Sequence, residues 1–370
     1  MRVGLGVTTD ASTALAPDTA PTAPDARRPR VPLSALDLSP VTDEGTSRDA
    51  LLATTELARA ADRLGLHRFW VAEHHNMPAV ASTSPAVLIA HLAASTERIR
   101  VGSGGVMLPN HPPLVVGEQF AMLEALHPGR IDLGIGRAPG TDPATAAALR
   151  RTTDGLGAEE FPSELLDVLG LLGQADEADT GRPPSPFVRR FSATPVQSST
   201  AEVWLLGSST FSARLAAALG IRFAYAHHFG ATQTMEAMAA YRAEFRPSAR
   251  LAAPHAMISA SVIVADSDDE AQYLAGPSKV MSLSLRTGRL GPITDPETAA
   301  EVLAQIEGGP LEQVLAQLPG TQVATTADRA AVQLQELVDR TRADELLVTA
   351  TTHDVATRVE TLERLVAAWV

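Results

Sequence analysis

Five short stretches of this chain hold residue types that can do chemistry, and each sits where an apolar run ends. The first is Glu73-His74-His75. Adjacent residues at a strand end point to opposite faces, so one imidazole can face a pocket while the other packs or hydrogen-bonds. An imidazole in a pocket can act as a base near its ordinary pKa of about 6.5. A polar cluster capping the next helix is the plainer reading. A metal pair is the weaker one, because inward-facing ligands on a strand alternate as His-x-His and these are contiguous. The second stretch is Val101-Gly102-Ser103-Gly104-Gly105-Val106. Glycine weakens a strand and is tolerated where backbones approach closely or a strained dihedral is needed, as in a β-bulge or a bare surface beneath a flat ring.

The third stretch is Asp132-Leu133-Gly134-Ile135-Gly136-Arg137-Ala138-Pro139-Gly140. Its G-x-G-x-x-x-G spacing, its Pro139 and the lack of a strand-end acid about 20 residues later make a poor dinucleotide fingerprint. What remains is Arg137 on a glycine-flanked strand end, either in a surface ion pair or against an anionic ligand. The fourth, Leu206-Gly207-Ser208-Ser209-Thr210-Phe211-Ser212, runs into a helix. Hydroxyls and free N–H groups at the positive end of a helix suit a phosphate, and Ser is equally an ordinary N-cap. Ser208, Ser209 and Ser212 together with Arg137 would make a monophosphate clamp. The fifth is His227-His228, of which one can readily face a pocket and the other would be a buried, satisfied imidazole.

These stretches need a scaffold that brings them to one surface. The hydrophobic patterning predicts strands at 33–38, 68–72, 99–107, 130–136, 202–206, 222–226, 256–265 and 345–349. Helices are expected at 47–64, 84–95, 114–126, 162–172, 210–219, 232–245, 327–341 and 355–368, with long loops at 137–162, 173–201 and 276–297. Steady β–α alternation means a parallel sheet. Eight units over this length fit a closed (β/α)8 TIM barrel better than an open Rossmann-like sheet, and barrel chemistry sits where strands end and helices begin. All five stretches lie at such junctions. Residues 1–30, rich in Ala, Thr, Pro and Asp, read as a disordered N-terminal extension, leaving 31–370 as one barrel domain.

Bulk composition narrows the partners. The chain has 370 residues, 45% of them hydrophobic, enough to bury a large core. A net charge of −13 argues against nucleic acid and anionic membranes. The lack of cysteine excludes disulfides, thiolate metal sites, iron–sulfur clusters and a cysteine nucleophile. No apolar run approaches the roughly 18 residues of a membrane span, and the first residues lack a secretory h-region, so a cytoplasmic protein is expected.

At Ala72–Met77, Thr96–Pro112, Leu123–Gly140 and Val203–Ala217 the sequence resembles the bacterial luciferase-like flavin monooxygenases, with likeness running from about residue 33 to 369. The resemblance implies a (β/α)8 barrel with a long insertion near the seventh strand, a homodimer formed through the early helices, and reduced FMN delivered by a separate reductase. It implies oxygenation of a small organic substrate by O2 through a C4a-peroxyflavin, with no structural metal. Gly104 and Gly105 match the family's non-prolyl cis peptide beneath the isoalloxazine ring. Arg137 matches a phosphate-binding Arg, and Ser208, Ser209 and Ser212 match the phosphate loop. His74 matches the active-site His, and 276–297 matches a mobile lid. In bacterial luciferase a Glu stands where this chain has Gly207. An F420-dependent oxidoreductase and a non-catalytic flavin-binding protein are alternatives on the same barrel, and a metal-dependent barrel hydrolase is a more remote one.

Overall fold

Alternation of short apolar runs with amphipathic helices closes, in a computed structural model of the chain, into a parallel barrel. The structure describes residues 29–149, 159–174, 185–196, 198–287, 291–316 and 322–369. The expected N-terminal extension lies almost wholly outside them. The strands are β1 (Leu33–Asp37), β2 (Arg68–Val71), β3 (Arg100–Ser103), β4 (Val106–Met107), β5 (Ile131–Gly136), β6 (Glu202–Gly207), β7 (Arg222–Tyr225), β8 (Ala256–Val264), β9 (Gln322–Thr325) and β10 (Glu345–Thr349). Strands β1, β2, β3, β5, β6, β7 and β8 pair in parallel in that order, and β4 adds to β5. Strand β10 pairs with both β8 and β1 and closes the ring. Strand β9 lies outside it, paired with the upper half of β8.

All eight expected strands form the ring. The one expected at 99–107 is two pieces, β3 and β4, separated by a non-prolyl cis peptide at Gly104–Gly105. The loops expected at 137–162 and 173–201 contain the short helices Pro143–Leu149 and Pro186–Arg190. The loop expected over 276–297 is corrected to helix at Gly276–Thr287, with a further helix starting at Pro296. Gly276 and Pro277 read as loop formers, yet they occupy a first helical turn, where the missing proline N–H costs nothing. Ile293 is bonded to the segment that follows β1. Its N–H donates to the Val41 carbonyl at 2.8 Å and its carbonyl accepts from Asp43 at 3.0 Å.

Strand alternation sends residues two apart into the barrel, where they stack in layers. The lowest layer is charged. Asp132 accepts from Arg68 Nη1 at 2.8 Å, Arg100 Nε at 2.8 Å and the Trp70 indole at 2.9 Å. Glu345 accepts from Arg68 Nε at 2.8 Å and from His255 at 2.8 Å. Above it Trp70 and Trp204 meet edge to face at 5.5 Å, packed with Leu36, Ala224, Met257 and Leu347. Asp132 and the Trp70 ring together require glycine on the neighbouring strand β3. A Cβ on Gly102 would lie 2.5 Å from the Asp132 Cβ and 2.9 Å from the Trp70 ring.

The ion layer sets an acid-stability prediction. Burial opposes ionisation of Glu345, but hydrogen bonds from His255 and Arg68 outweigh it and hold the carboxyl at about 2, against an ordinary 4.5. A depressed folded value stabilises the fold above the unfolded value and is lost as pH falls through the folded one. Glu345→Gln should therefore cost about 3 kcal/mol at neutral pH. Denaturant titrations should show the gap from the parent shrinking between pH 4.5 and about 2. A gap that stays constant over that window would remove Glu345 from this role.

Candidate active site

The upper rim is assembled from the ends of β2, β4, β5, β6 and β7. His74 continues the inward alternation of Arg68, Trp70 and Ala72. Its Nδ1 lies 3.0 Å from the Gly140 carbonyl, which can only accept, so Nδ1 carries the proton and Nε2 keeps its lone pair. Burial pushes this imidazole below its ordinary value, with the Gly140 carbonyl opposing. His74 is thus held neutral with an acceptor nitrogen. Gly140 takes a φ of +65°, which favours glycine, and a Cβ there would lie 2.8 Å from the Glu73 carbonyl oxygen.

Glu73 turns the other way and is fully buried. Its Oε1 accepts from His75 Nε2 at 2.9 Å, His111 Nε2 at 2.8 Å and Asn110 Nδ2 at 3.1 Å, while Oε2 accepts from the Met107 N–H at 3.0 Å. Burial works against the charge, but the His111 and His75 hydrogen bonds prevail and hold Glu73 at about 2. The ligand atoms of Glu73, His75 and His111 lie within 4.8 Å of one another, a spacing a divalent cation can bridge. A cation would displace the two Nε2–H groups from bonds that already satisfy the carboxylate. The alternating pair that contiguous His74-His75 lacks is Glu73-x-His75, completed by His111 from beyond β4. No feature of the His111 spacing marks that role; only the buried acid two residues before His75 hints at it.

The Gly104–Gly105 peptide rests on apolar side chains. A Cβ on Gly104 would meet Leu36 at 2.8 Å and Trp70 at 3.2 Å, and one on Gly105 would meet the Gly134 carbonyl at 2.8 Å and Leu206 at 3.0 Å. Leu206 leads directly into the hydroxyl-rich turn. Ser209 is the N-cap of the helix Thr210–Leu219, and its hydroxyl makes no capping bond. The Thr210 N–H is bonded instead by Gln233 Oε1 at 3.3 Å. The Tyr225 hydroxyl braces the turn from below, 3.1 Å from the Ser208 carbonyl and 2.8 Å from that of Gly230.

Arg137 and this turn are brought together. The guanidinium lies 4.4 Å above the ring of Phe211, in the first turn of the same helix. First-turn N–H groups have no partner inside a helix. Ser208, Ser209, the first-turn N–H groups after Thr210 and Arg137 therefore form a donor set of the kind a phosphate takes. His74 joins through Gly140, three residues after Arg137. Of the last pair, His227 turns away from the mouth and bonds Thr234 at 2.7 Å, and His228 bonds Ser259 of β8 at 2.6 Å.

Comparison with known proteins places this geometry. The family model for luciferase-like monooxygenases matches residues 33–368. The chain is 41% identical to a luciferase-like monooxygenase of Escherichia coli (strain K12), over 90% of this chain and 95% of that protein. It is 35% identical to the N-acetyl-S-alkylcysteine monooxygenase of Bacillus subtilis (strain 168), over 85% and 91%. The crystal structure of apo-MsnO8 superposes with a TM-score of 0.82 at 36% identity, covering 92% of this chain and 98% of that one.

The departure at Gly207 has a physical cause. A Cβ there would fall inside contact distance of both the Cβ and Oγ of Ser212, which is buried against the glycine. Gly207→Ala should cost about 1–3 kcal/mol through overpacking. Combining it with Ser212→Gly should return part of that loss, because the two sites share one space. Thermal unfolding of the two single variants and the double variant checks this; strictly additive losses would show that Ser212 is not what excludes a side chain at 207.

Proposed function

Because the chain belongs to the luciferase-like monooxygenase family, we propose that it is an FMN-dependent monooxygenase that uses reduced FMN and O2 to oxygenate a small organic substrate at the barrel mouth. The observation that carries this reading is Arg137 stacked on Phe211 beside the Ser208–Ser212 turn. That donor set matches a terminal phosphate, and the flat ring of the same cofactor would lie over Gly104 and Gly105. Reduced FMN supplies the electrons for activating O2; the protein supplies orientation and exclusion of water.

The roles of this chain's own residues follow. Arg137 neutralises the phosphate, and Ser208, Ser209, Ser212 and the helix N–H groups hydrogen-bond it. The bare Gly104–Gly105 peptide leaves room for a ring above the apolar floor of Leu36, Trp70 and Leu206. His74, protonated on Nδ1, takes and returns a proton at Nε2. The helix Gly276–Thr287 and the Ile293 contact with the segment after β1 would screen the mouth from water. A separate reductase delivers the reduced flavin. Exposed Leu52, Val87, Val115, Met122 and Leu126, on the three helices Ser47–Arg63, Pro85–Ser95 and Pro113–Leu126, are the surface through which two copies would associate. No helix among the described residues is long and apolar enough to cross a membrane.

Titration with FMN and with F420 tests the cofactor. FMN should bind, and Arg137→Ala should weaken it about tenfold or more. Oxygen-dependent turnover with reductase-supplied flavin, beginning with N-acetyl-S-alkylcysteines, tests the reaction. His74→Ala should keep FMN affinity within about threefold and lower turnover by at least about 100-fold. Preference for F420, or turnover without oxygen consumption, would sink the assignment.

A further inference from the structure

A second imidazole stands on the inner side of the mouth. On β8, Met257 belongs to the barrel interior, and Ile258 and Ala260 pack outward in the shell between strands and helices. Ser259 shares the parity of Met257 and points inward. His228 lies in the turn just beyond β7, and its Nδ1 reaches to 2.6 Å from the Oγ of this inward-pointing Ser259. The side chain of His228 is therefore inside the rim, while its neighbour His227 is pinned to Thr234.

The hydrogen-bond chain through Ser259 favours one tautomer of His228. Ser259 has one hydroxyl proton and donates it to the Tyr225 carbonyl at 3.1 Å. Its oxygen then accepts from His228, so Nδ1 is the protonated nitrogen and Nε2 holds the lone pair. Nε2 has no hydrogen-bond partner among the described residues, and it is not one of the sealed, unsatisfied buried atoms. The ring is only part-buried. An acceptor nitrogen is thus left open to the mouth, on the opposite arc of the rim from Gly104–Gly105. Burial, reinforced by the neighbouring His227, pushes this imidazole down to about 4, so it remains an uncharged acceptor at neutral pH.

His74 shows the same arrangement, with Nδ1–H spent on a protein carbonyl and Nε2 left as an acceptor. A mouth that offers two neutral acceptors selects for a guest that donates. Resting on the monooxygenase reading above, we propose that Nε2 of His228 accepts a hydrogen bond from the substrate, and that the substrate class is therefore one bearing an N–H or O–H donor, such as an amide or a hydroxyl compound. His228 is a specificity-determining residue in this proposal, and Ser259 is the positioning residue that fixes its tautomer. No covalent step is assigned to either.

The test uses two probe pairs of matched shape: phenol with toluene, and benzamide with acetophenone. Dissociation constants are measured by NMR titration of the full chain, with and without FMN. His228→Asn keeps an amide near the Nδ1 position and retains the Ser259 contact. His228→Gln carries its amide out to the Nε2 position and retains the acceptor on the mouth side. The parent should prefer each donor over its capped analogue. His228→Asn should reduce that preference about tenfold, and His228→Gln should restore most of it. A merely structural role predicts the reverse, with Asn rescuing and Gln failing, and that pattern overturns the proposal. Equal binding of donors and capped probes by the parent, or no binding of any probe, overturns it too. The parallel FMN titration of the parent keeps the outcomes apart: loss of donor preference with FMN still bound counts against His228 alone, while absent FMN affinity counts against the cofactor reading.

Discussion

The carboxylate of Asp132 is the point on which the barrel turns. It gathers Arg68, Arg100 and the Trp70 indole onto one side chain at the floor of the cylinder. Two arginines that are register neighbours on β2 and β3 would repel each other without it. A buried charge of this kind is stable only when fully paired, and removal of one partner is far more costly than exchange of the set. Asp132 itself, with the Trp70 ring it holds, leaves no space for a side chain at Gly102 on β3. The bare backbone at Gly104 follows in part from Leu36 and Trp70 beneath it, and that at Gly105 from Leu206 and the neighbouring β5 backbone at Gly134, and a ligand surface is what that packing leaves at the top.

Glu73 plays the corresponding part at the rim. It ties the end of β2 to β4 through Met107 and to the segment after β4 through Asn110 and His111, and its own carbonyl abuts Gly140 after β5. Three crossovers are therefore joined around one buried anion, and His74 is held between them with its tautomer fixed from Gly140. A neutral acceptor at that place follows from backbone geometry together with burial. The helix start at Ser209 adds the complementary feature, a set of donors beside Arg137, so the mouth has an anion-binding side and an acceptor-bearing side.

Much of this was legible in the residues. The eight ring strands could be read because they are short and apolar and most are followed by a helical pattern, and Gly104, Gly105, Arg137 and Ser208 stood out as residue types that are costly or unusual at strand ends. What could not be read depends on distance in space. His111 lies 36 residues from His75, and only the fold makes both donate to Glu73. Ser259 sits in an apolar strand, where nothing distinguishes it from an ordinary small residue until His228 is placed against it. The helix at Gly276–Thr287 was hidden because Gly and Pro signal a loop unless one knows that they fall in a first turn. Strand β9 is four residues long, so periodicity had too little to act on.

The seat of Ile293 against the segment after β1 has a kinetic implication. Its junction with Val41 and Asp43 is two backbone hydrogen bonds and one buried aliphatic side chain. Parting them costs a few kcal/mol at most, well under the roughly 5–15 kcal/mol that hold a whole domain together. This contact can part many times within the lifetime of the folded cylinder, so the amide protons of Asp43 and Ile293 should exchange with solvent through a local opening while those of the inner strands wait for the rarer loss of the entire fold.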